Sequence, residues 1–209
     1  MELKNFMKKH YNDLALTPDF YQHWSIGIHL ELGNNIYPFD ENHQINLNLF
    51  NKVYKQLSEL VPLLFKKTDT VLVVVNTYPQ ETKKIVYPNF FKRYVKEQKL
   101  KYSLHYHEFQ WQDDENHVFV QQMSLCCKVT DLKLELLLKT LIHEDFPPLQ
   151  PRLRTKHCLF APDVFLINVN TRCIFHVYDD RGCEVINRNL ELHEKLVERL
   201  KEWEMQAKP

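Results

Sequence analysis

The chain has 209 residues, 44% of them hydrophobic, and its 27 Lys+Arg balance its 27 Asp+Glu. That is enough apolar material for one well-buried core, and we expect a single α+β domain over residues 1–209. A formal charge of zero argues against a nucleic-acid partner, because neutralising phosphates supplies most of that affinity. The basic cluster Lys92, Arg93, Lys96, Lys99 and Lys101 is read as the solvated face of a helix that also holds Glu97.

Other classes fall away on the same grounds. The opening MELKNFMKKHYNDL has no apolar stretch of the secretory kind, and no 18-residue apolar run is present, so we expect no membrane contact and a cytoplasmic protein. The five cysteines are odd in number, include the adjacent pair Cys126-Cys127 and show no CxxC spacing. Reduced thiols fit better than a disulfide framework or a zinc ribbon.

In chain order, Leu3, Phe6, Met7, His10, Tyr11 and Leu14 line one face of a first helix. Residues 24–32 alternate as a half-buried strand. Leu49, Phe50, Val53, Tyr54, Leu57, Leu60, Val61 and Leu64 mark a helix over 46–66. Pro62 lacks an N–H and is expected to kink or break it. Thr70 to Asn76 is a continuous β-branched run and reads as a central strand buried on both faces.

Pro88 to Lys99 reads as a short helix and Lys101 to Trp111 as a strand. A turn at Asp113 to Asn116 leads to a strand over Val118–Val129. Thr130 or Asp131 is expected to cap a helix ending near Glu144. Pro147, Pro148, Pro151 and Pro162 hold an extended crossing. Strands then follow over 163–169, 173–178 and 183–187, and Asn189 caps a last helix with Leu190, His193, Val197, Leu200 and Trp203 on one side. The sum is a largely antiparallel sheet of about six to seven strands with about five helices.

The register of the 163–178 hairpin can be argued. Setting Phe165, Ile167 and Val169 against Cys173, Phe175 and Val177 requires Val169 to pair with Cys173. The loop is then Asn170-Thr171-Arg172, and a loop of two or four residues overturns the argument.

Three clusters carry candidate chemistry. In Tyr178-Asp179-Asp180-Arg181-Gly182 an Asp can bond its own backbone, Gly182 can take positive φ, and Arg181 can pair with Asp179 or Asp180. This is either a tight hairpin corner or an exposed, charge-bearing recognition loop. Two carboxylates alone make no metal cage. If Tyr178 opposes Cys183, then His176 and Cys183 become diagonal neighbours, long for a catalytic dyad. His105 and His107 share a strand face that His117 could join as a zinc-type set, against the plainer reading of a polar face. The chain has no G-x-S-x-G, HExxH, P-loop or G-x-G-x-x-G, and three glycines leave little to cradle a nucleotide. We expect no cofactor and no metal, and the balance leans against an enzyme.

The stretches WSIGI…ELG from Trp24, LVVVNTY from Leu72, FKRY from Phe91 and IFHVYDDRGC from Ile174 occur in order, ahead of a helix ending in Trp203. Together they resemble a family of uncharacterised proteins of Bacillus-like Firmicutes, classed only as a domain of unknown function. The resemblance spans nearly the whole chain, and its YDDRG run is the most specific part. It implies a single soluble intracellular domain and carries over no catalytic residue. By analogy with small charge-balanced bacterial proteins, the expected function is a non-catalytic, immunity- or antitoxin-like protein that binds a protein partner. Tyr178, Asp179, Asp180 and Arg181, with Trp24 and Trp111, are the expected contact residues, and Tyr21 joins them as an exposed aromatic. The alternative is a hydrolase or nucleic-acid-modifying enzyme using Asp179, Asp180 and His176.

Overall fold

The computed structural model describes residues 1–80, 89–113, 116–153, 158–203 and 205–208. Helix α1 (Leu3–Tyr11) ends where Asn12 turns left-handed at φ 52° and bonds back to Met7 O. A 3₁₀ turn (Phe20–His23) leads into strand β1 (Gly27–Glu31). Helix α2 (Leu47–Leu64) is capped by the Asn46 side chain and is followed by β2 (Thr70–Thr77), α3 (Phe90–Tyr94) and a 3₁₀ turn (Gln98–Ser103). The hairpin β3 (His105–Asp113) and β4 (Asn116–Lys128) precedes α4 (Leu134–Ile142). Then come β5 (Asp163–Asn168), β6 (Cys173–Asp179), β7 (Gly182–Asn187), α5 (Leu190–Arg199) and β8 (Met205–Lys208).

Among the described residues the strands form one sheet of eight in the order β3-β4-β2-β5-β6-β7-β1-β8, and every neighbouring pair is antiparallel. Both faces are covered. Helices α2 to α5 pack on Val71, Val73, Val75, Leu166, Phe175, Val177 and Val185. The other face carries Leu72, Val74, Phe165, Ile167, Ile174 and Ile186 beneath α1 and the Phe20–His23 turn. The class is α+β, as expected, with one strand more than expected.

That extra strand is β8, four residues that pair with β1 from Gly27↔Lys208 to Leu30↔Met205. Its isolated sequence, MQAK, alternates over only four residues and has no β-branched content; the β1 edge makes it a strand.

Other expectations need correction. Helix α2 runs through Pro62. The missing N–H falls in its last turn and deprives only Ser58 O, on an exposed residue where water can replace it. The Asp131 carboxylate accepts from Lys128 N and closes a 3₁₀ turn (Val129–Asp131), so α4 starts later than either proposed cap. The expected 88–99 helix is shorter, its first residue lying outside the described ones. Lys92 and Arg93 sit on α3 while Lys99 and Lys101 sit on the following 3₁₀ turn, so the basic cluster is not one helix face. The middle of the 113–116 turn also lies outside the described residues, but Asp113 pairs with Asn116 as a hairpin requires.

The β5–β6 register is one residue off the expected one. Asn168 pairs with Cys173 and Phe165 with His176, leaving a four-residue loop, Val169–Arg172. Asn168 builds this loop: its Oδ1 accepts from Asn170 N (2.9 Å) and Thr171 N (3.1 Å), and Arg172 turns left-handed at φ 60°. The register argument assumed one apolar face. With both faces buried, sliding by one residue trades apolar for apolar, and burial alone cannot choose.

Candidate functional site

The observed register lines up a polar row across the α1-covered face. Glu184 stands opposite His176 on one side and opposite His29 on the other. Asp163, two residues before Phe165 on the same face, is diagonal to His176. The His176 ring is buried, stacked on Phe165 (centroids 4.5 Å) and capped edge-on by Phe20 (5.7 Å). Its Nε2 lies 3.4 Å from Asp163 Oδ1 and its Nδ1 3.9 Å from Glu184 Oε2.

The row continues at both ends. Tyr78 donates its hydroxyl to Asp163. His29 Nδ1 lies 3.4 Å from Glu184 Oε1, and Tyr178 Oη is 3.4 Å from His29 Nε2. Asn76, opposite Asp163, donates to Leu16 O at 2.6 Å and accepts from Gln122 at 3.0 Å.

Electrostatics decides what this row can do. Burial alone pushes the His176 pKa down, but Asp163 and Glu184 outweigh it and raise it to about 9. His176 is therefore a fixed imidazolium at neutral pH, unsuited to act as a general base, which needs a pKa near the working pH. Burial and the Asp163 charge also push the Tyr78 hydroxyl well above its ordinary value. Burial silences three thiols: it raises Cys173 to about 12 and pushes Cys127 and Cys183 up as well.

The Tyr178–Gly182 corner has a different character. Tyr178 is the unpaired residue of a bulge, since Val177 pairs with Cys183 and Asp179 with Gly182. Asp179 is buried and takes Arg181 N at 2.8 Å on Oδ1, and Arg181 Nε at 2.8 Å with Nη2 on Oδ2. Arg181 itself projects outward, its side chain 74% exposed. Asp180 is buried; that burial, then the Asp179 charge, raises its pKa to about 6. Gly182 does not take a positive φ. It is needed because a Cβ there would meet Leu30 O at 2.7 Å and the Tyr178 ring.

Several expected groupings do not form. Cys183 faces Val177 in the helix-covered core, so it is not the diagonal neighbour of His176. The ionic partners of His176 are Asp163 and Glu184, and Arg181 occupies Asp179. The Asp179, Asp180 and His176 trio thus does not converge. His117 pairs with Gln112, five positions along the ladder from His107 and on the opposite face, which separates it from the other two imidazoles.

The expected contact aromatics are less exposed than their positions suggested. Tyr21 is buried, with its hydroxyl on Gln206 O at 3.2 Å. Trp24 is half-buried against Tyr11 and donates to Asn187 O at 2.8 Å. Trp111 and Tyr178 are half-buried as well. The exposed aromatics among the described residues are Tyr37 (84%), Phe39 (51%), Tyr102 (93%), Tyr106 (42%) and Phe160 (45%). His105 and His107 line an open trough of about 420 Å³ between α1 and the β3–β4 hairpin, floored by Leu3, Met7, Leu16 and Phe109.

Sequence reasoning missed Asp163, Glu184, His29 and Tyr78. Their one signal was parity along each strand, which points to a shared face only when the register is known.

The family model described as "Domain of unknown function (DUF3885)" matches residues 3–206, and the chain belongs to that family. It is similar to "Uncharacterized protein YnaE" of Bacillus subtilis (strain 168), 34% identical over 209 residues that cover 97% of each chain. No solved structure matches. Among the described residues, no helix is long and apolar enough to cross a membrane.

Proposed function

We propose that this chain is a non-catalytic, cytoplasmic binding protein whose partner is another protein, seated on the Tyr178–Gly182 corner and the loop beside it. The observation that carries this reading is Arg181. Its side chain is exposed, yet its guanidinium is held in place by the buried Asp179. An arginine fixed in advance loses little rotamer freedom when it binds, and its remaining N–H donors are free for a partner carboxylate or carbonyl.

The surroundings support the same role. Asp145, whose charge reaches Arg181 and Asp180, immediately precedes Phe146. Phe39 packs its half-exposed ring 6.0 Å from that of Phe146, and Tyr37 projects from the same loop. Arg and Tyr are enriched among the residues that dominate binding energy. Trp24 and Trp111 support the scaffold rather than the contact surface in this reading. The finer assignment is immunity- or antitoxin-like: the corner occludes a toxin-like partner encoded beside it.

The test is capture from the native host on the intact protein, repeated with Arg181→Lys and Phe39→Ala. We expect one stoichiometric protein partner, with affinity reduced tenfold or more by either substitution (about 1.4 kcal/mol or more). Capture of no stoichiometric protein, or of one indifferent to both substitutions, overturns the reading. A toxin-like neighbouring gene supports the finer assignment, and a metabolic operon removes it.

A further inference from the structure

The α1-covered face of the sheet carries a second polar group, on strands that lie away from the β6–β7 corner in the strand order. In the β3–β4 ladder His105 pairs with Ser124 and His107 with Gln122, and Gln122 pairs in turn with Asn76 on β2. Ser124 stands opposite Val74, so all five side chains share the face that packs beneath α1. His105, His107, Gln122 and Ser124 line the trough of about 420 Å³ between α1 and the hairpin, a volume in the range of small-molecule sites.

A relay of amides fixes what Gln122 offers. The Leu16 carbonyl only accepts, so Asn76 turns its Nδ2 to it at 2.6 Å and presents Oδ1, to which Gln122 Nε2 donates at 3.0 Å. Gln122 keeps its Oε1, an acceptor without a hydrogen-bond partner among the described residues. The Ser124 hydroxyl has none either, although Gln122 is 7% and Ser124 4% exposed. Buried polar groups are hydrogen-bonded in folded proteins, and here the partner comes from whatever fills the trough. The two groups stand two residues apart on β4, roughly 6–7 Å along the strand.

The walls are of two kinds. His107 and Phe109, neighbours on one face of β3, hold their rings 6.0 Å apart with planes 23° from parallel, an aromatic surface for a flat ring. Leu3 and Met7 of α1, with Leu16, form an apolar wall. The charged residues lining the trough are two acids, Glu2 and Asp13, and one lysine, Lys4, which disfavours an anion.

We propose that this trough binds a neutral, fused bicyclic heteroaromatic ring of the purine type. Its face lies against His107 and Phe109, an N–H on its edge donates to Gln122 Oε1, and a second ring heteroatom or amino group meets the Ser124 hydroxyl. A single ring is too short to satisfy both groups. An aliphatic ligand leaves both unpaired, which costs the full desolvation of each. Recognition ends at the ring, because nothing in the lining cradles a phosphate.

The full-length protein is titrated with adenine, uracil and adenosine monophosphate, followed by backbone amide shifts and calorimetry, beside His107→Ala and Ser124→Ala. His107 is exposed, and Ser124→Ala removes only the hydroxyl, so both variants keep the fold. Adenine should shift amides in 14–16, 105–109 and 122–124. Its affinity should fall roughly fivefold or more in His107→Ala, which loses ring stacking, and roughly threefold in Ser124→Ala, which loses one hydrogen bond. Uracil should bind more weakly than adenine, and the monophosphate no more tightly. Absence of shifts at these amides up to the solubility limit of adenine overturns the proposal. So does an affinity that neither substitution changes, uracil binding as tightly as adenine, or a monophosphate that binds far more tightly than the base. None of these results bears on capture at the Arg181 corner, which is read separately.

Discussion

His176 and Glu184 face each other across the β6–β7 ladder, with Nδ1 and Oε2 3.9 Å apart. The contact is ionic rather than a well-formed hydrogen bond, and neither ring nitrogen has a hydrogen-bond partner among the described residues. Asp163 approaches from β5 on the other side, so one buried cation compensates two carboxylates. The surplus negative charge is eased by the Tyr78 hydroxyl on Asp163 and by His29 beside Glu184.

Removing the cation should expose that surplus. His176→Leu leaves the buried Glu184 and the half-buried Asp163 without their shared counterion and should destabilise the protein by about 3–5 kcal/mol in urea unfolding. Adding Asp163→Asn and Glu184→Gln should recover much of the loss. If His176→Leu unfolds at the wild-type midpoint, the ionic row contributes nothing to stability.

The same pair sets a pH dependence. The folded-state pKa of His176, about 9, lies above its ordinary 6.5, so the native state binds this proton more tightly than the unfolded chain. The stabilisation is complete below pH 6.5 and is lost as pH rises through 9, amounting to at most about 3 kcal/mol. Thermal melts between pH 6 and 9.5 should fall across that window, and His176→Leu should flatten the slope.

Asp180 acts in the same direction at lower pH. Its pKa is raised from 3.8 to about 6, so its protonated form is favoured by folding, and stability declines as pH rises through that interval. Asp180→Asn keeps the shape and removes the charge beside Asp179. It should raise the melting temperature at pH 7.5 and leave it nearly unchanged at pH 4. A lower melting temperature at pH 7.5 would show that the carboxylate is needed as an anion.

Gly182→Ala should be costly although its backbone is unstrained. The added methyl meets the Leu30 carbonyl, a backbone atom of the neighbouring strand that cannot swing away. We expect a loss of about 1–3 kcal/mol by denaturant unfolding, typical of overpacking. Asp179→Asn tests the other support of the corner, because it weakens the grip on Arg181; its signature is faster hydrogen exchange at residues 180–182.

Much of the fold was legible because its signals are local. The apolar stripe from Leu49 to Leu64 specified α2, and the run Val71–Val75 specified a strand buried on both faces. Asn189 capped α5 as expected, its side chain accepting from Leu192 N at 3.2 Å. Asp179 was identified as one of two anchors for Arg181, and the geometry selected it. Three of the misreadings share a cause. The β5–β6 slip, the supposed nearness of His176 and Cys183, and the exposure assigned to Tyr21 all depended on which strand or turn lies opposite which.

By itself, then, this sequence determined the helices and strands, their antiparallel bias and the charged hairpin corner, since each follows from the periodicity and chemistry of neighbouring residues. Only the tertiary structure decided that His176 sits between Asp163 and Glu184, that Met205–Lys208 is a strand, and that β3 comes first in the strand order of the sheet. These relationships join residues far apart in the chain through strand register and order. On a sheet buried on both faces, apolar patterning is nearly indifferent to a one-residue shift, and the choice falls to pairings such as His176 with its two acids.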